Sequence, residues 1–178
     1  MAAYRGCSSS TSDDSMTLLV HLTSATNAAA IRRSGLRIPR TSRAKQGIFA
    51  FPVVPNFVAT HQWLRELKRR GAKTICGVYF RVPDSEPILF GHYRNASVKI
   101  PAAEAAGIIR RDPNPLGYEC VITRAVPPKA IIRIRSLPQL IGWRYYPEAT
   151  GRKPCGCPSC QRGDIKSRRI REAFEDAV

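Results

Sequence analysis

The chain has 178 residues, with 29 Lys and Arg against 13 Asp and Glu, a formal net charge of +16. That length suits one domain with a small appendage, and 43% hydrophobic residues with 14 Pro and 12 Gly argue for a folded, loop-rich chain rather than a disordered one. The longest nearly unbroken apolar stretch, 47–59, holds two prolines and an Asn and falls short of the roughly 20 residues a membrane helix needs, so no membrane partner is expected.

Residues 1–15 are small, polar and mixed in charge, and read as a flexible tail. They carry no apolar core of a secretory signal. With six Cys too sparse for a disulfide scaffold, this places the chain in a reducing compartment, cytoplasmic or nuclear. Residues 17–22 form a short apolar run that fits a buried strand, with His21 near its end. Ser24 or Thr26 is positioned to cap a helix over 28–33, and Gly35 follows where a left-handed residue ends a helix. A basic loop, 36–46, carries Arg37, Arg40, Arg43 and Lys45. Residues 47–51 predict a second strand stopped by Pro52. Pro55 opens a helix running to residue 70, with Phe57, His61, Leu64 and Leu67 on its apolar stripe, which makes His61 a packed core histidine.

Residues 73–82 predict a third strand. Ile75, Gly77, Tyr79 and Arg81 share one face, and Cys76, Val78 and Phe80 share the other. Short strands are expected at 88–90 and 97–100, a helix at 102–111, and a strand at 118–123. Val126-Pro127-Pro128 breaks the chain before a last strand over 130–134. Strand–helix pairs come first and strands dominate later. This order predicts an α+β domain over 16–142 with a mixed or antiparallel sheet.

Residues 143–178 form a basic appendage. Arg144, Lys153, Arg162, Lys166, Arg168 and Arg169 stand in it beside Trp143, Tyr145 and Tyr146. Cations interleaved with aromatics hold a nucleic-acid backbone and stack its bases; a solvated helix face is the plainer alternative. Clustered charge and the net +16 favour a polyanionic partner, DNA or RNA. Cys155, Cys157 and Cys160 place three soft ligands in six residues, a candidate structural zinc site. Its fourth ligand would come from Cys7, Cys76, Cys120, His61 or His92. Three free thiols are the other reading.

Two residues stand out as candidates for chemistry. His21 closes a buried strand and is followed by Thr23 and Ser24, groups able to bond a ribose, an amide or a phosphate. Glu119 lies inside the apolar strand Y-E-C-V-I-T. A carboxylate there either points to solvent or lines a cleft, where it can bind a hydroxyl and stabilise a developing cation. Phe49 and Phe51 share a strand face by their period of two, which fits either core packing or ligand stacking.

Taken together, the strings H-L-T-S-A-T-N-A-A-A-I-R-R-S-G-L, G-I-F-A-F-P and Y-E-C-V-I-T-R-A-V-P-P-K-A-I-I resemble the ADP-ribosyltransferase superfamily over residues 17–134. The similarity is to the branch with His, an aromatic or hydroxyl residue and Glu on three strands, which includes DarT-like DNA-modifying toxins and RNA 2′-phosphotransferases. The resemblance implies a split sheet with flanking helices that binds NAD as substrate. It implies that His21, supported by Thr23 and Ser24, contacts a ribose, and that Phe49 or Phe51 stacks on nicotinamide. Glu119 would hold the nicotinamide ribose 2′-hydroxyl and stabilise the oxocarbenium-like transition state, with Arg32, Arg40 or Arg43 on the diphosphate. Branch members often carry Tyr where this chain has Phe. The Arg-His-Arg-Arg pattern of the phosphotransferases is not evident, so ADP-ribosyl transfer to a nucleic acid or a nucleic-acid-bound target ranks above phosphate removal from RNA. A non-catalytic, zinc-stapled RNA- or DNA-binding protein is the alternative from another class.

Overall fold

A computed structural model describes residues 15–38, 47–69, 71–93 and 95–139. The tail 1–14, the loop 39–46 and the appendage from 140 onward lie outside the described residues. So do the expectations placed on Arg40, Arg43, Arg144, Lys153, Cys155, Cys157, Cys160, Arg162, Lys166, Arg168 and Arg169.

The described residues form an α+β unit around a seven-stranded sheet in which every pairing is antiparallel. The strands are β1 (Met16–Ser24), β2 (Ile48–Pro52), β3 (Ile75–Pro83), β4 (Pro87–His92), β5 (Val98–Pro101), β6 (Tyr118–Ile122) and β7 (Ile131–Ser136). Their order across the sheet is β5-β4-β6-β2-β1-β3-β7. No helix among the described residues is long and apolar enough to cross a membrane.

Strand β1 pairs along its whole length with β3, from Met16 opposite Pro83 to Ser24 opposite Ile75. Its pairing with β2 is confined to two positions, Leu19 opposite Pro52 and Val20 opposite Phe51. Past Val20 the two central strands part. The sheet is therefore continuous at one end of the β1–β2 seam and open at the other, and His21 is the first residue of β1 beyond the last pair.

The period of two sorts the side chains. Leu19, Val78, Phe80, Ile88, Phe90, Cys120 and Ile122 form one buried layer. Helix α4 (Ala102–Arg111) covers it with Ala102, Ala105, Ala106 and Ile109, a stripe at helical spacing whose small residues let the helix lie close to the sheet. Each large side chain fully buried here, Phe80 or Leu19 for example, contributes about 1.5–3 kcal/mol. Leu64, Ile75 and Leu137 make a smaller cluster on the other side.

Helix α1 (Ala28–Ser34) ends at Gly35, whose φ of 75° with ψ of −172° is a backbone conformation that glycine adopts without strain. Leu36 then exchanges two backbone hydrogen bonds with Val126, both 2.9 Å. A Cβ at Gly35 would collide with the Val126 carbonyl. The S-G-L and V-P-P strings, 90 residues apart in sequence, thus clamp one another.

Two local expectations are corrected. Neither Ser24 nor Thr26 caps a helix through its side chain: a 3-10 turn (Ala25–Asn27) precedes α1, and the two hydroxyls bond each other at 2.9 Å. The helix expected over 55–70 is two pieces, α2 (Phe57–Thr60) and α3 (Leu64–Arg69), with a turn at 61–63. Tertiary hydrogen bonds outweigh propensity at the break. Thr60 Oγ1 donates to the Val54 carbonyl, Gln62 Nε2 to the Pro115 carbonyl and Trp63 Nε1 to the Tyr118 carbonyl.

A candidate ligand cleft where two strands part

The opening between β1 and β2 borders two cavities. One, of about 650 Å³, is lined by His21, Phe49, Phe51, Trp63, Tyr93 and Glu119 among others. The second, of about 440 Å³, is lined by His21, Thr23, Asn27, Ser34, Arg37 and Phe49 among others. His21 and Phe49 belong to both, so they form the sill over which an elongated ligand would lie.

The sill is held by a hydrogen bond. His21 Nδ1 lies 2.7 Å from the Phe49 carbonyl oxygen. A carbonyl only accepts, so Nδ1 carries the proton. This bond spans the point where the β1–β2 ladder has ended. Burial holds the His21 pKa below its usual value, partly offset by the Phe49 carbonyl. The ring is therefore neutral at pH 7, and Nε2 is left as a hydrogen-bond acceptor. A neutral acceptor of this kind suits a sugar hydroxyl.

Phe49 and Phe51 have different environments. Phe49 is 42% exposed although it is a large apolar residue, whereas Phe51 is 3% exposed and packed into the hydrophobic core. The register sets Phe49 opposite Val121 on β6, and Glu119, two residues before Val121, shares that face. Glu119 stands opposite Gly91 on β4, where the 96–97 backbone packs so close that a Cβ would collide with the Ala96 carbonyl. Cys120 points to the other face. Its thiol is buried, and desolvation together with the adjacent Glu119 charge pushes its pKa far up, so it stays protonated and is no nucleophile.

The structure thus brings His21, Phe49, Phe51 and Glu119 to one cavity, and His21, Thr23 and Phe49 to its neighbour. Ser24 lines neither, its hydroxyl being bonded to Thr26. Arg32 is exposed on α1 and lines neither. Among the described residues the basic one that borders the second cavity is Arg37, three residues past the end of α1.

Trp63, Tyr93 and Asn95 were not singled out by sequence reasoning. Trp63 is pinned by its bond to the Tyr118 carbonyl at 2.9 Å, and its ring lies 5.5 Å from that of Tyr93. Trp63 sat within an expected helix, and no local pattern marks Tyr93 or Asn95. Only the break between α2 and α3 turns Trp63 toward the cavity.

Among the described residues no three His, Cys, Asp or Glu side chains group as metal ligands. Of the fourth ligands considered for zinc, Cys76 and Cys120 are buried free thiols. His61 is committed at both nitrogens, to the Phe57 carbonyl and the Tyr79 hydroxyl, each 2.8 Å away. His92 Nε2 lies 3.1 Å from the Leu116 carbonyl.

No protein-family model, curated protein or solved structure matches the chain.

Proposed function

We propose that the chain is an NAD-dependent ADP-ribosyltransferase that modifies a nucleic acid, with the cleft between β1 and β2 as its active site. The observation that carries this reading is the meeting of His21, Phe49 and Glu119, from three strands, at one cavity. The three come from neighbouring strands, β6, β2 and β1, and the parting of β1 from β2 leaves the cavity among them.

Each residue has a task suited to its surroundings. His21 Nε2 accepts a hydrogen bond from a ribose hydroxyl of NAD. The exposed ring of Phe49 stacks on a flat heterocycle. The Glu119 carboxylate accepts the 2′-hydroxyl of the nicotinamide ribose and offsets positive charge at C1′. As the C1′–nitrogen bond breaks, its electron pair leaves with neutral nicotinamide. The acceptor's lone pair then forms the new bond to C1′, and the acceptor's proton passes to Glu119 or water. Arg37 supplies positive charge to the diphosphate from the second cavity.

The test is NAD labelled in its adenylate half, incubated with DNA, RNA and protein acceptors beside the E119Q variant. Glutamine keeps the shape and removes the charge. Losing one electrostatic stabiliser of a transition state costs about 10²-fold or more in rate, so E119Q is expected to lose labelling by at least that factor with an unchanged melting curve. Absence of label and of nicotinamide release in the folded parent protein refutes the transferase and leaves a nucleic-acid-binding module.

A further inference from the structure

Strand β7 forms one edge of the sheet and carries two exposed arginines, Arg133 and Arg135. Arg133 stands opposite Tyr79 on β3, and Arg135 opposite Gly77. Arg81 follows Tyr79 by two residues and shares its face. All three arginines are exposed. The Arg133 guanidinium carbon lies 4.6 Å above the centre of the buried Tyr79 ring, and the Tyr79 hydroxyl is bonded to His61 Nε2. That cation is held in place rather than swinging free.

Among the described residues no carboxylate pairs with any of the three; the Arg124–Glu86 ion pair lies elsewhere. Like charges on neighbouring strands repel, so the cluster costs stability unless an anion meets it. Edge protection accounts for charges on β7, and Arg81 stands just past the last β3–β7 pair, Phe80 with Ile131, on the face that carries Arg133 and Arg135. Apolar groups stand beside the cations. Ile132, 51% exposed, precedes Arg133 at the register shift of β7, and the exposed Phe57 ring packs on His61 at 4.1 Å.

We propose that the Arg81, Arg133 and Arg135 face of β3 and β7 binds the phosphodiester backbone of a single-stranded nucleic acid and delivers it to the cleft. Arginine forks match phosphate oxygens two at a time, and exposed apolar side chains take unstacked bases, which a duplex hides. The surface adjoins the cleft: Tyr79 is paired with Val20, which lines the larger cavity. The inference rests on the transferase reading for the polymer's role as acceptor, and its test is separate from it.

The experiment uses the full chain and fluorescence anisotropy with labelled 20-nucleotide DNA and RNA single strands over a series of salt concentrations. In the R81Q/R133Q/R135Q variant the slope of log affinity against log salt is expected to fall by roughly 2, at about 0.7 for each phosphate that the protein no longer neutralises. The R110Q/R111Q variant, on α4, serves as the control for charge alone and is expected to keep the slope. R135E, opposite the side-chain-free Gly77, gives the same readout with little disturbance of packing should the triple variant not fold. An unchanged slope in the triple variant, an equal loss per charge in the control, tighter binding of the duplex, or no binding by the parent protein overturns the proposal. If the parent releases no nicotinamide from NAD yet the slope falls as expected, the surface stands and the transferase reading fails.

Discussion

Phe49 and Phe51 offer the sharpest separation of site from scaffold. They lie two apart on β2, are chemically identical and border the same cavity. Phe51 is 3% exposed and Phe49 is 42% exposed. Removing a core phenylalanine costs about 3–5 kcal/mol, so F51A is expected to lower the melting temperature by roughly 6–20 °C. F49A removes a ring that packs little. The group that fixes His21 is the Phe49 carbonyl, which the substitution keeps. F49A should therefore melt within a few degrees of the parent, about 0.5 kcal/mol or less. Stacking of a base on an aromatic ring is worth about 1–3 kcal/mol, so F49A should weaken NAD binding roughly 5- to 150-fold. F49Y restores the stacking face and should restore affinity. Circular-dichroism melting and calorimetric titration with NAD read both quantities on the same samples. If F49A melts as low as F51A, Phe49 is a core residue; if it melts normally and binds NAD unchanged, the ring does not stack. Either result removes Phe49 from the site.

Two further outcomes follow from the same geometry. Burial holds His21 and His61 below the usual histidine range, so the unfolded chain takes up protons first. Stability is then full above about pH 6.5 and falls as pH drops below it, by at most about 1.4 kcal/mol per pH unit for each histidine; urea midpoints at pH 7.5 and 5.5 that coincide would refute this. Arg37→Ala should raise the KM for NAD several-fold, less at high salt, with an unchanged melting temperature, whereas R32A should leave KM alone; the reverse ranking would put the diphosphate at Arg32.

Much of the scaffold was legible because its signals are local. The Leu-rich run around residues 18–22, the alternation through 75–82 and the small-residue stripe of α4 each specify an element by period alone. The Gly35 turn was legible for the same reason, since glycine takes the positive φ there without strain. The α2–α3 break was not. Its cause lies in bonds from Gln62 and Trp63 to carbonyls more than 50 residues away, and nothing nearby announces them. The site divides along the same line. His21 and Glu119 are visible as polar residues in apolar strands. Trp63, Tyr93 and Asn95 reach the cavity through tertiary placement. Of the arginines offered for the diphosphate, Arg32 lines neither cavity, and Arg40 and Arg43 lie outside the described residues.

The open seam itself calls for a physical account. On their outer sides β1 is paired along its length with β3, and Ile48, Phe49 and Ala50 of β2 with β6, so the residues beyond Val20 on β1 and before Phe51 on β2 are strand in every respect but one. They forgo ladder bonds with each other, and each backbone polar group so released needs another partner, a side chain or water. The His21 side chain meets one such group, the Phe49 carbonyl. A strand residue of any other type at position 21 that lacks a donor of that reach would leave the carbonyl to water or draw the seam shut. His21 is thus both prop and ligand group: the proton on Nδ1 keeps the strands apart, and that same assignment makes Nε2 the acceptor. Protonating the ring would abolish the acceptor without breaking the prop, so ligand affinity should fall with pH before the cleft collapses.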